Sequence, residues 1–145
     1  RAAWTALGRA KELAAQASPI ERELIAALEQ RYAWPQPEDR RPLDEAYARA
    51  MRELWARHPN DADIGGLFAV ALMNVRPWDL WTKAGEPQPE TPEVLSTLEA
   101  VLARTPNHPL ALHLYIHAVE ASPQPEKAAA AADRLRDLQP GLGHM

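Results

Sequence analysis

The sequence predicts an all-α protein, a helical-repeat solenoid of antiparallel helix pairs with about seven helices in a single domain over residues 1–145. Three observations carry this. Apolar residues recur at i, i+3, i+4 spacing in segment after segment, with no alternating strand pattern between them. The 14 prolines divide the chain into those segments, since proline ends or interrupts a helix. The punctuation also repeats: "ARHPND" at 56–61 and "ARTPNH" at 103–108 each close one helical pattern and open the next.

The first helix, over about 2–17, sets Trp4, Leu7, Ala10 and Ala14 on one face. The second opens at Ser18, Pro19 and Glu21, an S-x-x-E capping box with proline in the first helical position. These two make an N-terminal helical pair over 1–42, closed by the break "WPQPEDRRP" at 34–42. Helix three then carries Leu43, Ala46, Tyr47, Ala50, Met51 and Leu54 on one stripe. Helix four is the apolar run "IGGLFAVALMNV" at 64–75, whose Gly65 and Gly66 permit close helix approach. That run falls short of the roughly 20 residues a spanning helix needs, so it is expected to be buried, with no membrane span. Helix five covers about Pro92–Arg104, helix six lies in "HPLALHLYIHAVEAS" at 108–122, and helix seven carries Ala128, Ala131, Leu135 and Leu138.

Residues 43–145 are organised as repeats. Pro140 follows Pro106 by 34 residues, whereas Pro106 follows Pro59 by 47, a step that an inserted loop at about 76–91, around "RPWDLWTKAGEPQP", explains. On these grounds the chain resembles the tetratricopeptide-repeat proteins, well over 43–145 and loosely over the first 42 residues, where "WTALG" at 4–8 is in character. The stretches "LMNVRPWDLW", "HPLALHLYIHAVEAS" and "GLGHM" are together similar to a bacterial group of such proteins of uncertain function. The resemblance implies stacked helix pairs, a binding role, and further helices after Gly-His-Met. Counting one period back from His144 reaches Leu110, where helix six opens, so truncation at the C-terminus is the expectation. An uncapped end of this kind favours self-association. The start, already in helical rhythm at "RAAWTALGRAKEL", is expected to be internal to a longer protein.

Composition narrows the function. A formal charge of -4, with Lys and Arg interleaved among Asp and Glu, leaves no basic stripe for a phosphate backbone, so nucleic acid is not an expected partner. The absence of cysteine excludes disulfides, thiolate metal sites and a cysteine nucleophile. It leaves the compartment open, with the cytoplasm favoured.

Two stretches carry chemistry. On helix six, His113, His117 and Glu120 fall within about 60° of one another at 100° per residue, a polar strip in an apolar helix. In one account this is a divalent-metal site, His113 and His117 chelating one turn apart, Glu120 near, and His144 or His108 supplied by packing. In the other, the imidazoles bond neighbouring groups and Glu120 pairs with an arginine such as Arg76. "HLYIH" lacks the glutamate of a zinc-protease motif, and no serine stands in a nucleophile-elbow context. An enzyme is therefore not the expectation, and no cofactor beyond a possible metal ion is implied.

The second stretch is "NVRPWDLW" at 74–81, leaving helix four. Asn74, Arg76, Trp78, Asp79 and Trp81, with Tyr115 of helix six, could form an aromatic recognition pocket with a charged anchor. Alternatively Trp78 and Trp81 fill the gap opened by the insertion, and Arg76 with Asp79 tie it down. His58 and His108, each beside a proline, are expected as cap or turn residues. The leading expectation is a scaffold that binds a peptide, a protein segment or another part of its own parent chain on the concave surface of its inner helices; the competing one is a metal-dependent site.

Overall fold

Ser18 starts its helix as its spacing from Glu21 requires. The Ser18 hydroxyl accepts from the Glu21 N–H at 3.3 Å, and the Glu21 carboxylate accepts from the Ser18 N–H at 2.7 Å. Ser18 is extended, as the residue before Pro19 is disposed to be, and Ala17 is extended with it, so the preceding helix ends early and its last turn tightens into a 3-10 turn at Ala14–Gln16. The computed structural model describes residues 1–138 and 141. Among these, seven α-helices are present: α1 Ala2–Leu13, α2 Pro19–Glu29, α3 Arg41–Arg57, α4 Ala62–Val75, α5 Thr91–Arg104, α6 Pro109–Val119 and α7 Ala129–Leu138. The protein is all-helical among the described residues. Pro140, which sets the 34-residue step, and His144 lie outside them.

Each helix packs on the next along the chain, and α4 additionally packs on α6. Among the described residues α3 and α5 make no comparable backbone approach; the bidentate pair from Arg52 to Glu93, at 2.8 Å in both bonds, spans them instead. So α4 and α6 form an inner row and α3 and α5 an outer, splayed one, consistent with a helical repeat.

Burial follows from that layering. Ile64, Phe68, Ala69, Ala71 and Leu72 of α4 are at most 1% exposed, enclosed by Met51 and Leu54 of α3 and by Val94, Leu98 and Val101 of α5. A fully buried phenylalanine or leucine of this kind contributes about 2–3 kcal/mol. The helices meet closely because Gly65 has no side chain: a Cβ there would stand 2.4 Å from Val101 Cγ2 and 3.0 Å from the Trp55 ring.

The repeated punctuation is repeated in geometry. Arg104 of α5 donates to the Pro59 carbonyl at 2.9 Å, and Arg134 of α7 donates to the Pro106 carbonyl at 2.9 Å. Asp61 caps α4 by accepting from the Ile64 N–H at 3.0 Å; His108, 47 residues on, caps α6 through Nδ1, accepting from the Ala111 N–H at 3.2 Å. With Nδ1 as acceptor the His108 proton sits on Nε2, which meets Asp63 Oδ1 at 3.0 Å and joins the starts of the two inner helices.

The insertion between α4 and α5 is ordered. Leu80–Gln88 and Thr82–Glu86 backbone bonds of 2.9 Å form a small hairpin, turned at Gly85 with φ +81°. The buried Thr91 hydroxyl donates to the Leu80 carbonyl, and Arg76 Nε holds Glu90 at 2.9 Å across the base. No helix among the described residues is long and apolar enough to cross a membrane.

Candidate functional site

Because α4 and α6 are neighbours in the inner row, residues 47 apart face a common space. Val70, Met73 and Asn74 of α4 stand opposite His117, Glu120 and Ala121 at the end of α6, the second set lying 47 residues after the first. Pro77, Trp78, Leu80 and Trp81 of the insertion roof the gap, and His113 and Leu114 complete it. The result is a pocket of about 310 Å³. That is at the small end of ligand sites, sized for a side chain or a small molecule.

Two stretches that the sequence presents separately thus form one site. Asn74, Trp78, Trp81, His113, His117 and Glu120 all line it. His113 and His117 meet edge to face with centroids 4.6 Å apart, and Trp78 meets His117 in the same manner at 5.5 Å. Glu120 Oε1 lies 2.9 Å from His117 Nδ1; an ionised carboxylate only accepts, so Nδ1 carries the proton and donates.

The insertion's two tryptophans differ. Trp81 Nε1 donates at 2.7 Å to the Ala118 carbonyl, one of those that the end of α6 leaves without a helical partner. Trp81 is thereby tied to α6. Trp78 stands out instead: the side chain is 86% exposed and the backbone has φ +60°. A bulky residue in the left-handed region costs about 1–3 kcal/mol, and such strain concentrates at functional positions.

The expected Arg76–Glu120 pairing is also corrected. Arg76 turns away from the pocket to Glu90 at 2.9 Å and to Asp79 at 3.7 Å, because the base of the insertion supplies two nearer carboxylates. Burial pushes the Glu90 carboxyl up, but its hydrogen bonds and the Arg76 charge together hold it below its ordinary 4.5. Asp79 also accepts from the Gln88 amide at 3.3 Å, so both residues tie down the loop and neither lines the pocket. Tyr115 faces the other side of α6, beside Leu95 and Glu99, where burial and then Glu99 push its hydroxyl pKa up. His108 is a cap, and His58 ends α3 with Nε2 3.4 Å from Glu23.

No family model matches the chain, and no curated protein or solved structure matches it either. Among the described residues no group of three or more His, Asp or Glu side chains is arranged to hold a metal ion. The pocket wall is mostly apolar, and among the described residues it includes neither Lys nor Arg. Such a surface can enclose an apolar group and bond its polar end at the His117–Glu120 rim.

The composition of the stripe and the aromatic loop were legible in the sequence; Val70, Met73, Pro77 and Leu114 were not singled out as site residues. The signal for the first two was present. Mapping His117 and Glu120 back by the 47-residue step lands on them.

Proposed function

We propose that the chain is a tetratricopeptide-like helical-repeat binding module whose pocket between α4, α6 and the insertion receives a side chain of a peptide or protein segment. One observation carries the reading: a strained and exposed Trp78 stands against His117 at the mouth of an apolar pocket on the inner row of helices. Tryptophan is favoured at recognition hot spots, and its exposure offers an apolar face to a partner. The tetratricopeptide reading is supported by the paired helices and by the duplicated Arg-to-Pro carbonyl bonds. Peptides selected from a random display library should bind wild type and lose at least about tenfold in affinity to Trp78→Ala, given the usual size of a hot-spot truncation. Selected peptides that bind Trp78→Ala equally well would sink the reading.

A second reading has its own observation. His117 donates Nδ1–H to a carboxylate, the arrangement that orients metal-ligating imidazoles. In it, His113 and His117 coordinate a divalent ion and Glu120 stands behind His117. Calorimetric titration with zinc, repeated on His113→Ala/His117→Ala, tests it: saturable stoichiometric binding lost in the variant supports it, and no saturable binding to wild type rejects it.

A further inference from the structure

We infer that the side chain this pocket selects is a lysine, an alkyl stem ending in a cation; the inference rests on the binding reading above and specifies its ligand chemistry. The charge pattern points one way. Among the described residues Glu120 is the one acidic side chain that lines the pocket, and no Lys or Arg lines it. Arg76, near in sequence, spends its guanidinium on Glu90 and Asp79 outside it. An anionic group would meet Glu120 with no compensating cation, whereas a cationic one meets a carboxylate.

The wall is graded to suit a group that is apolar along its length and charged at its end. Val70, Met73 and Leu114 supply an apolar floor, on which a four-carbon stem loses water-exposed surface. Trp78, His117 and Glu120 follow one another in contact along the rim, the indole 5.5 Å from the imidazole and the imidazole 2.9 Å from the carboxylate. The exposed indole offers a face to a cation, an attraction strongest for tryptophan. His117 takes one of the acceptor sites of Glu120, and a carboxylate has about four, so an ammonium can bond it without displacing the histidine. Lysine fits better than arginine. Its stem lays four methylenes rather than three along the apolar floor before the charge is reached.

The test uses the whole chain, labelled with ¹⁵N, and acetylated, amidated alanine pentapeptides carrying lysine, norleucine or glutamate at the centre. Norleucine keeps the stem of lysine and removes only the ammonium. Chemical-shift titration of the Trp78 indole N–H should show the lysine peptide binding about tenfold more tightly than the norleucine peptide, with no saturation by the glutamate peptide. Glu120→Gln, which keeps an acceptor for His117, should bring lysine down to the norleucine affinity and leave norleucine unchanged. Equal affinity of lysine and norleucine in wild type would overturn the charge preference while the binding reading stands. An indole signal that none of the three peptides shifts would overturn both.

Discussion

Helices α4 and α6 lie side by side in the inner row and carry opposite kinds of stripe. Both follow an outer helix, both are capped at positions 47 residues apart, and both are apolar nearly all round. Where α6 carries His113, His117 and Glu120, the positions 47 residues earlier in α4 are Gly66, Val70 and Met73. The comparison teaches that such a stripe packs well without any ionisable group, so the polar stripe is not required by helix stacking. It also explains the pocket. An apolar stripe and its polar counterpart face each other across one gap, and the insertion roofs it.

Breaking the shared packing should have the largest effect. Gly65→Val forces atoms into the space held by Val101 and Trp55 and should cost about 3 kcal/mol, read as a lower urea midpoint with little change in slope. A variant as stable as wild type would mean that α4 is not seated as closely as described. Next in size is the tie from the insertion to α6. Trp81→Phe keeps most of the ring but removes the donor to the Ala118 carbonyl, for a loss of about 1 kcal/mol in the same measurement.

Trp78→Gly should act in the other direction, raising stability by up to about 1 kcal/mol. Glycine relieves the positive φ, and the loss of a side chain that is 86% exposed removes little packing. The same variant should lose peptide binding, so a gain in one property accompanies loss of the other. Making α6 resemble α4, with His117→Val/Glu120→Met, replaces both partners of the hydrogen bond together but also removes the imidazole's ring contacts with Trp78 and His113, so it should cost no more than about 1 kcal/mol. A large loss on thermal unfolding would show that the stripe does structural work after all.

The smallest expected effect concerns acid. The folded Glu90 carboxyl lies below its ordinary 4.5, so its pairing with Arg76 contributes stability above that pH and loses it as pH falls through the folded value. Glu90→Gln should therefore flatten the decline of stability below about pH 4.5, measured by denaturation at a series of pH values.

Helix starts were legible in the sequence wherever a side chain finds its partner locally. Ser18 finds Glu21, and His108 the Ala111 N–H, within three residues, so their positions announce them. Ends were less legible. The first helix, expected to run to about residue 17, stops at Leu13 because Ala17 is extended to enter the Ser18 cap, a conflict that alanine-rich composition conceals. The third begins at Arg41 rather than Leu43, with Pro42 inside its first turn, where a missing N–H leaves no bond unmade.

By itself the sequence determined the helical class, the matching punctuation at 56–61 and 103–108, and which residue types carry polarity in an apolar setting, all of which depend on period and spacing along the chain. Tertiary structure alone decided that the histidine stripe and the aromatic loop share one pocket, that Arg76 serves Glu90 rather than Glu120, and that Trp81 is bound while Trp78 is exposed. The two tryptophans lie three residues apart with the same intrinsic chemistry. Their roles diverge because one indole reaches an orphan carbonyl of α6, 37 residues away, and no local pattern encodes that distance.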